Sequence, residues 1–148
     1  MKICIACSAG GHLIEAISLY PLIRKYPNFF ITVKRKQSKE LLKDKKTYFV
    51  IDPKRNPLKL LLNFLQSLKI LLKEKPNIII STGASSAIPA CYLGKFFGCK
   101  IIFIESLAAV EKPSLSGRFA YPIADLFIVQ WKNLLKFYKK GIYGGQLI

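Results

Sequence analysis

The chain holds 148 residues, 51% of them hydrophobic, which suits one domain with a sizeable core and excludes an intrinsically disordered chain. Its 24 Lys and Arg outnumber 8 Asp and Glu, for a formal net charge of +16. A field of that sign favours polyanions, meaning nucleic acid, an anionic membrane or a phosphate-rich ligand, and argues against acidic-surface roles.

The first apolar run, Ile3-Cys4-Ile5-Ala6-Cys7, is too short for a signal-peptide core, and no run approaches the roughly 20 apolar residues that span a bilayer. A membrane would therefore be met by the protein surface, from the cytoplasmic side. Strands are expected at 2–7, 28–33, 48–52, 77–81, 100–105 and 125–130. They are short, rich in β-branched residues and nearly continuous in hydrophobicity, the pattern of a parallel sheet covered on both faces. Helical segments alternate with them, which predicts one Rossmann-like α/β domain over residues 1–148 with helices on both faces.

The first strand runs into Ser8-Ala9-Gly10-Gly11-His12 and then into a helix. Two glycines at such a turn let backbone N–H groups approach an anion at a helix N-terminus. The turn is neither a dinucleotide fingerprint nor a P-loop, since Gly-x-Gly-x-x-Gly and Gly-Lys-Ser/Thr are both missing. His12 adds a side chain able to act as general base or to bind phosphate. Cys4 and Cys7 have metal-type spacing, but an offset of three along a strand points them to opposite faces. With His12 the only histidine, no metal site is expected, and all four cysteines read as buried free thiols.

After the second strand comes a basic hairpin-like stretch, Lys34-Arg35-Lys36-Gln37-Ser38-Lys39, read either as a headgroup-binding loop or as a solvated turn. The segment 57–73 is a helix with leucine on most of its surface and a narrow polar stripe of Lys59, Asn63, Gln66, Ser67 and Lys73. Its surplus apolar face has two readings, core or lipid interface, the second through Leu58, Leu61, Leu62, Phe64, Leu65 and Leu68. A second small-residue turn, Ser81-Thr82-Gly83-Ala84-Ser85-Ser86, follows the fourth strand, and Glu105-Ser106 closes the fifth. These turns belong at the carboxyl edge of the sheet, where open parallel sheets bind ligands. Arg118 is a candidate phosphate fork, or a surface partner of Asp125 or Glu111. Trp131 fits core packing better than a ligand platform.

In this order, SAGGH, STGASSAIPA, IES and SLSGRFAYPIADLFIVQW resemble the PssD-type bacterial polysaccharide biosynthesis proteins and their eukaryotic relative, asparagine-linked glycosylation protein 14. A more distant similarity is to the N-terminal half of MurG. The resemblance implies the acceptor-side half of a split GT-B glycosyltransferase, peripheral on the cytoplasmic face of the cell membrane. A partner subunit, resembling a C-terminal GT-B half, would hold the UDP-sugar; the acceptor would be a polyprenyl-diphosphate-linked saccharide, and no further cofactor is implied. It also implies site roles. His12 is the first candidate base or diphosphate-orienting group, and Glu105 the competing base. Gly10, Gly11, Ser81, Thr82 and Gly83 would contact acceptor or donor, and Arg118 would neutralise a phosphate. The rival reading is a non-catalytic membrane scaffold that activates a partner glycosyltransferase. Nucleic acid is not an expected partner, because no recognisable nucleic-acid motif with interleaved aromatic and basic residues is present.

Overall fold

The β-branched and aromatic runs form a single seven-stranded sheet in a computed structural model that describes residues 1–148. Its strands are β1 (Ile3–Cys7), β2 (Asn28–Val33), β3 (Thr47–Val50), β4 (Ile78–Gly83), β5 (Lys100–Ile104), β6 (Leu126–Val129) and β7 (Ile142–Tyr143). They lie in the order β3-β2-β1-β4-β5-β6-β7, and every pairing is parallel. The expected six strands are present; β7 is an unforeseen two-residue edge strand. The helices are α1 (Gly11–Ser18), α2 (Tyr20–Ile23), α3 (Lys36–Leu41), α4 (Pro57–Glu74), α5 (Ile88–Phe96) and α6 (Leu115–Ala120), with a 3-10 turn at Lys132–Lys136.

Period-two alternation along β1 divides the core. Cys4 and Ala6 join Phe29, Ile31, Ile79 and Ile101 beneath α4 and α5. Ile3, Ile5 and Cys7 join Leu13, Ala16 and Phe30 beneath α1. All four thiols are free and buried, and burial pushes those of Cys7 and Cys91 up to about 12, so they pack as small apolar groups. A third cluster, including Phe103, Phe127 and Tyr138, fills the far end of the sheet.

The chain leaves β1 toward β2 on one side, while β4 pairs with it on the other. That reversal makes the carboxyl ends of β1 and β4 a switch-point crevice, the usual ligand position in an open parallel sheet.

Helix α4 is turned opposite to ordinary amphipathic packing. It starts with Asn56 accepting from the Lys59 N–H at 3.1 Å and with Pro57 in its first turn, and it ends at Lys75 in the left-handed region. Only the middle of its polar stripe, Asn63 and Ser67, is buried against the domain; Lys59, Gln66 and Lys73 are exposed. Asn63 donates to the carbonyls of Ile51 and Ser86 at 2.8 and 3.1 Å, and Ser67 donates to Asn63. Gln66 accepts from the Ile51 N–H. Ile70 and Leu71 near its end join the core, but most of the leucines face solvent, with Leu58 66% and Leu65 51% exposed and Leu61, Leu62 and Phe64 exposed beside them. The core reading of this face is therefore overturned for those five residues. Leu68 is the exception: it packs against the core, so it leaves the proposed lipid-facing set. No helix is long and apolar enough to cross a membrane.

The basic stretch after β2 is not a hairpin. Residues 36–41 form α3, nucleated by Ser38, which donates to the Val33 carbonyl at 2.7 Å and accepts from the Arg35 N–H at 2.9 Å.

Candidate functional site

The first wall of the crevice is the turn from β1 into α1. Gly10 caps the helix at φ 89, ψ −144, a conformation readily available to glycine alone. Its N–H is spent on Gln37 Oε1 at 2.9 Å, so Gly10 shapes the turn and offers no donor. At Gly11 a Cβ would meet nothing within 4 Å, so open space lies in front of it. The N–H groups of Gly11 and His12, in the first turn of α1, have no intrahelical acceptor and are free for an anion.

The second wall comes from β4. Ala6 pairs with Ser81 and Cys7 with Gly83, so Thr82 is an extra residue bulged out of the ladder. That irregularity ties Thr82 to His12 by two hydrogen bonds. Thr82 Oγ1 donates to the His12 carbonyl at 2.7 Å, and the Thr82 carbonyl lies 2.8 Å from His12 Nδ1. A carbonyl can only accept, so Nδ1 carries the proton and Nε2 is the acceptor of the neutral ring. The imidazole is 27% exposed, and a Cβ on Gly83, whose φ is 109, would come within 3.1 Å of His12 Cε1. Glycine at 83 is what admits the ring. Ser81 lies elsewhere: it is fully buried, and its hydroxyl accepts from the Gly83 N–H. Of the expected contact residues, then, Gly11 faces open space, Thr82 and Gly83 hold His12, and Gly10 and Ser81 support the turns.

Glu105 does not fit the base role expected of it. Its side chain is fully buried and saturated by four donors. Oε1 accepts from the Ser106 N–H and the Ser114 hydroxyl at 2.9 and 2.6 Å. Oε2 accepts from the Ser114 N–H and the Tyr138 hydroxyl at 3.2 and 2.6 Å. Burial and the Glu105 charge push the Tyr138 hydroxyl well above its ordinary range, so it stays a donor. Gly117 leaves room for this carboxylate, since a Cβ there would collide with Glu105 Oε2. Glu105 thus ties the end of β5 to the N-cap of α6 and to Tyr138.

Arg118 is exposed on α6 and forms no ion pair; Asp125 is taken by Lys95 at 2.9 Å and Lys100 at 3.6 Å. Trp131 donates to the Leu107 carbonyl at 2.7 Å and packs against the third core cluster.

Two features escaped the sequence reading. Glu15, one helical turn beyond His12, is buried beside it. A cavity of about 570 Å³ opens between the starts of α4, α5 and α6, lined by Arg55, Pro57, Leu60, Ile88, Leu115 and Phe119. Ser116 also lines it, and its hydroxyl accepts from the Ala84 N–H at 3.3 Å, directly after the His12 wall. The apolar cavity and the polar crevice therefore share a border. No three His, Cys, Asp or Glu side chains converge as metal ligands would.

The family model described as oligosaccharide biosynthesis protein Alg14 like matches residues 3–147. The chain belongs to that family. Among curated relatives, the UDP-N-acetylglucosamine transferase subunit ALG14 of Candida albicans is 45% identical over 92 residues, 58% of this chain and 42% of that protein. The mouse protein of the same name is 32% identical over 88 residues, 55% of this chain and 41% of that one. The matched part thus spans about two fifths of those relatives. Among solved structures, Acinetobacter baumannii MurG matches with a TM-score of 0.75 at 15% identity, covering 90% of this chain and 43% of MurG. A UDP-N-acetylglucosamine 2-epimerase from Rickettsia bellii matches at 0.78 and 11% identity, covering 99% of this chain and 45% of that one. The fold matches a little under half of each of these two chains, and at such identities the likeness carries the fold alone.

Proposed function

We propose that the chain is the acceptor-side subunit of a two-subunit glycosyltransferase. A partner would hold a UDP-sugar, UDP-N-acetylglucosamine by analogy with the relatives' name, and the acceptor would be a polyprenyl-diphosphate-linked saccharide at the cytoplasmic membrane face. The observation that carries this reading is the placement of His12. Its Nε2 is kept as an acceptor by the Thr82 carbonyl, in a switch-point crevice bordered by an apolar cavity.

The chemistry follows from that placement. His12 Nε2 takes the proton of the acceptor hydroxyl as its oxygen bonds to the anomeric carbon. The bond from that carbon to the UDP oxygen breaks with its electron pair, and UDP departs on the opposite face, inverting the centre. The free N–H groups at Gly11 and His12 and the unpaired Arg118 offer charge and donors to the acceptor diphosphate. The cavity beside Arg55, Leu60, Leu115 and Phe119 suits the first isoprene units. The outward leucines of α4, with Lys59, Lys69 and Lys73 around them, suit a peripheral seat in an anionic leaflet.

The test is reconstitution of the full chain with a candidate donor-side subunit, UDP-N-acetylglucosamine and a polyprenyl-diphosphate-linked N-acetylglucosamine. Transfer that requires both proteins is the expected result. Undiminished transfer by the partner alone would favour the scaffold reading instead.

A further inference from the structure

Glu15 stands three residues after His12 on the same face of α1. Its carboxylate is fixed at one end, where Oε1 accepts from the Leu107 N–H at 2.9 Å. The other oxygen, Oε2, has no hydrogen-bond partner, although the side chain is only 4% exposed. It lies 4.0 Å from His12 Nδ1, too far for a hydrogen bond but close enough for a strong charge interaction. Buried carboxylate oxygens are rarely left unpartnered, because water would have bonded them in the unfolded chain. An oxygen held this way beside a histidine points to a role beyond packing.

We propose that Glu15 is the positioning residue for His12, a fixed negative charge that stabilises the imidazolium formed when Nε2 takes the acceptor proton. The inference rests on the base reading of His12. The Thr82 carbonyl and Glu15 divide the work: the carbonyl takes the Nδ1 proton and sets the tautomer, while the carboxylate supplies charge. Without Glu15, proton transfer would add a cation to a crevice inside a chain already at +16. With it, the pair ends the step neutral. Burial prevails and raises the Glu15 carboxyl, and the Glu105 carboxylate at the end of β5 adds to that, while the Leu107 N–H, the His12 charge and the nearby Ser106 hydroxyl pull it down. His12 and Glu105 are the charged groups facing it, and Ser106 and Leu107 present the polar atoms of the segment packed over it.

The chain has one histidine, so ring signals of the labelled 148-residue chain need no assignment. Long-range ¹H–¹⁵N spectra read both tautomer and titration. Glu15→Gln retains an oxygen for the Leu107 N–H and removes only the charge. The expected result is a histidine titration moved to lower pH, with the Nδ1–H tautomer unchanged. Glu15→Asp, which keeps the charge, should stay nearer the parent. In the reconstituted complex, Glu15→Gln should lower kcat about tenfold with acceptor KM within about twofold. The same coupling is readable from the other side: His12→Gln should raise the titration of the assigned Glu15 carboxyl, which keeps the test open if Glu15→Gln does not fold. Unchanged titrations in both directions would overturn the inference. It would fall alone if His12→Ala were inactive while Glu15→Gln matched the parent; full turnover by His12→Ala would remove the base reading beneath it.

Discussion

Glu105→Gln separates an anchor from a base, because it keeps the shape of the side chain and changes only its hydrogen-bond character. The carboxylate accepts from two backbone N–H groups and two hydroxyls. A hydroxyl can turn to accept from an amide NH2; a backbone N–H cannot. With the amide nitrogen in the Oε1 position, the Ser106 N–H loses its acceptor; in the Oε2 position, the Ser114 N–H does. Either orientation leaves one buried donor unpaired, at about 1–3 kcal/mol, and the remaining bonds lose their charge assistance. The sum is about 3 kcal/mol, a large part of the roughly 5–15 kcal/mol that stabilises a domain. With a urea slope of about 1–3 kcal/mol per molar, the unfolding midpoint of the full chain should fall by about 1–3 M. Tyr138→Phe, which removes one donor, should cost about half as much. An unchanged midpoint for Glu105→Gln together with lost turnover would refute the anchor role and return Glu105 to the chemistry.

Three further outcomes are expected. Gly11→Ala meets open space and no left-handed φ, so stability should hold within about 0.5 kcal/mol while turnover in the complex falls as the new methyl stands between helix and phosphate; unaltered kinetics would remove Gly11 from the acceptor site. Leu61→Gln with Leu65→Gln should leave the urea midpoint nearly unchanged but weaken partition to phosphatidylserine-containing vesicles more than tenfold, at about 1.5–3 kcal/mol per inserted leucine. A large loss of stability would mean that the face is packed. For Glu74, burial works to raise the carboxyl, but hydrogen bonds from Lys46, Tyr48 and Lys2 prevail and hold it at about 2. Because the folded value lies below the ordinary one, its contribution is complete above the ordinary carboxylate range and is lost as pH falls from there toward 2. Glu74→Gln should therefore cost about 2 kcal/mol at neutral pH, allowing for the exposed lysine partners, and progressively less below pH ~4 in urea titrations.

The sheet was legible because its strands are continuous β-branched runs, a pattern that buried parallel strands produce and amphipathic helices do not. The SAGGH turn was equally plain, since glycine at 10 answers a backbone requirement visible in composition alone. The direction of α4 was not. A leucine-rich helix ordinarily turns its leucines to the sheet, and nothing local reveals that the Ile51 and Ser86 carbonyls need Asn63. The role of Glu105 depends on Ser114 and Tyr138, nine and thirty-three residues away, so its saturation could not be read from IES. Nothing in the first helix's own sequence marks Glu15 as buried; it is buried because the segment after β5 covers it and spends the Leu107 N–H on it. The cavity was hidden for a related reason, as its wall includes Arg55, held at a φ of 62 that arginine rarely adopts. β7 has two exposed residues and no pattern to detect.

The central claim is that this chain carries the base of a sugar transfer whose donor sits on another protein. The most direct measurement is the turnover of the two-protein complex containing His12→Ala, with folding checked by its urea midpoint. A fall of about a hundredfold or more in kcat at an unchanged midpoint is expected of a lost general base. Full turnover by the His12→Ala complex would contradict the claim and leave the crevice without its chemistry.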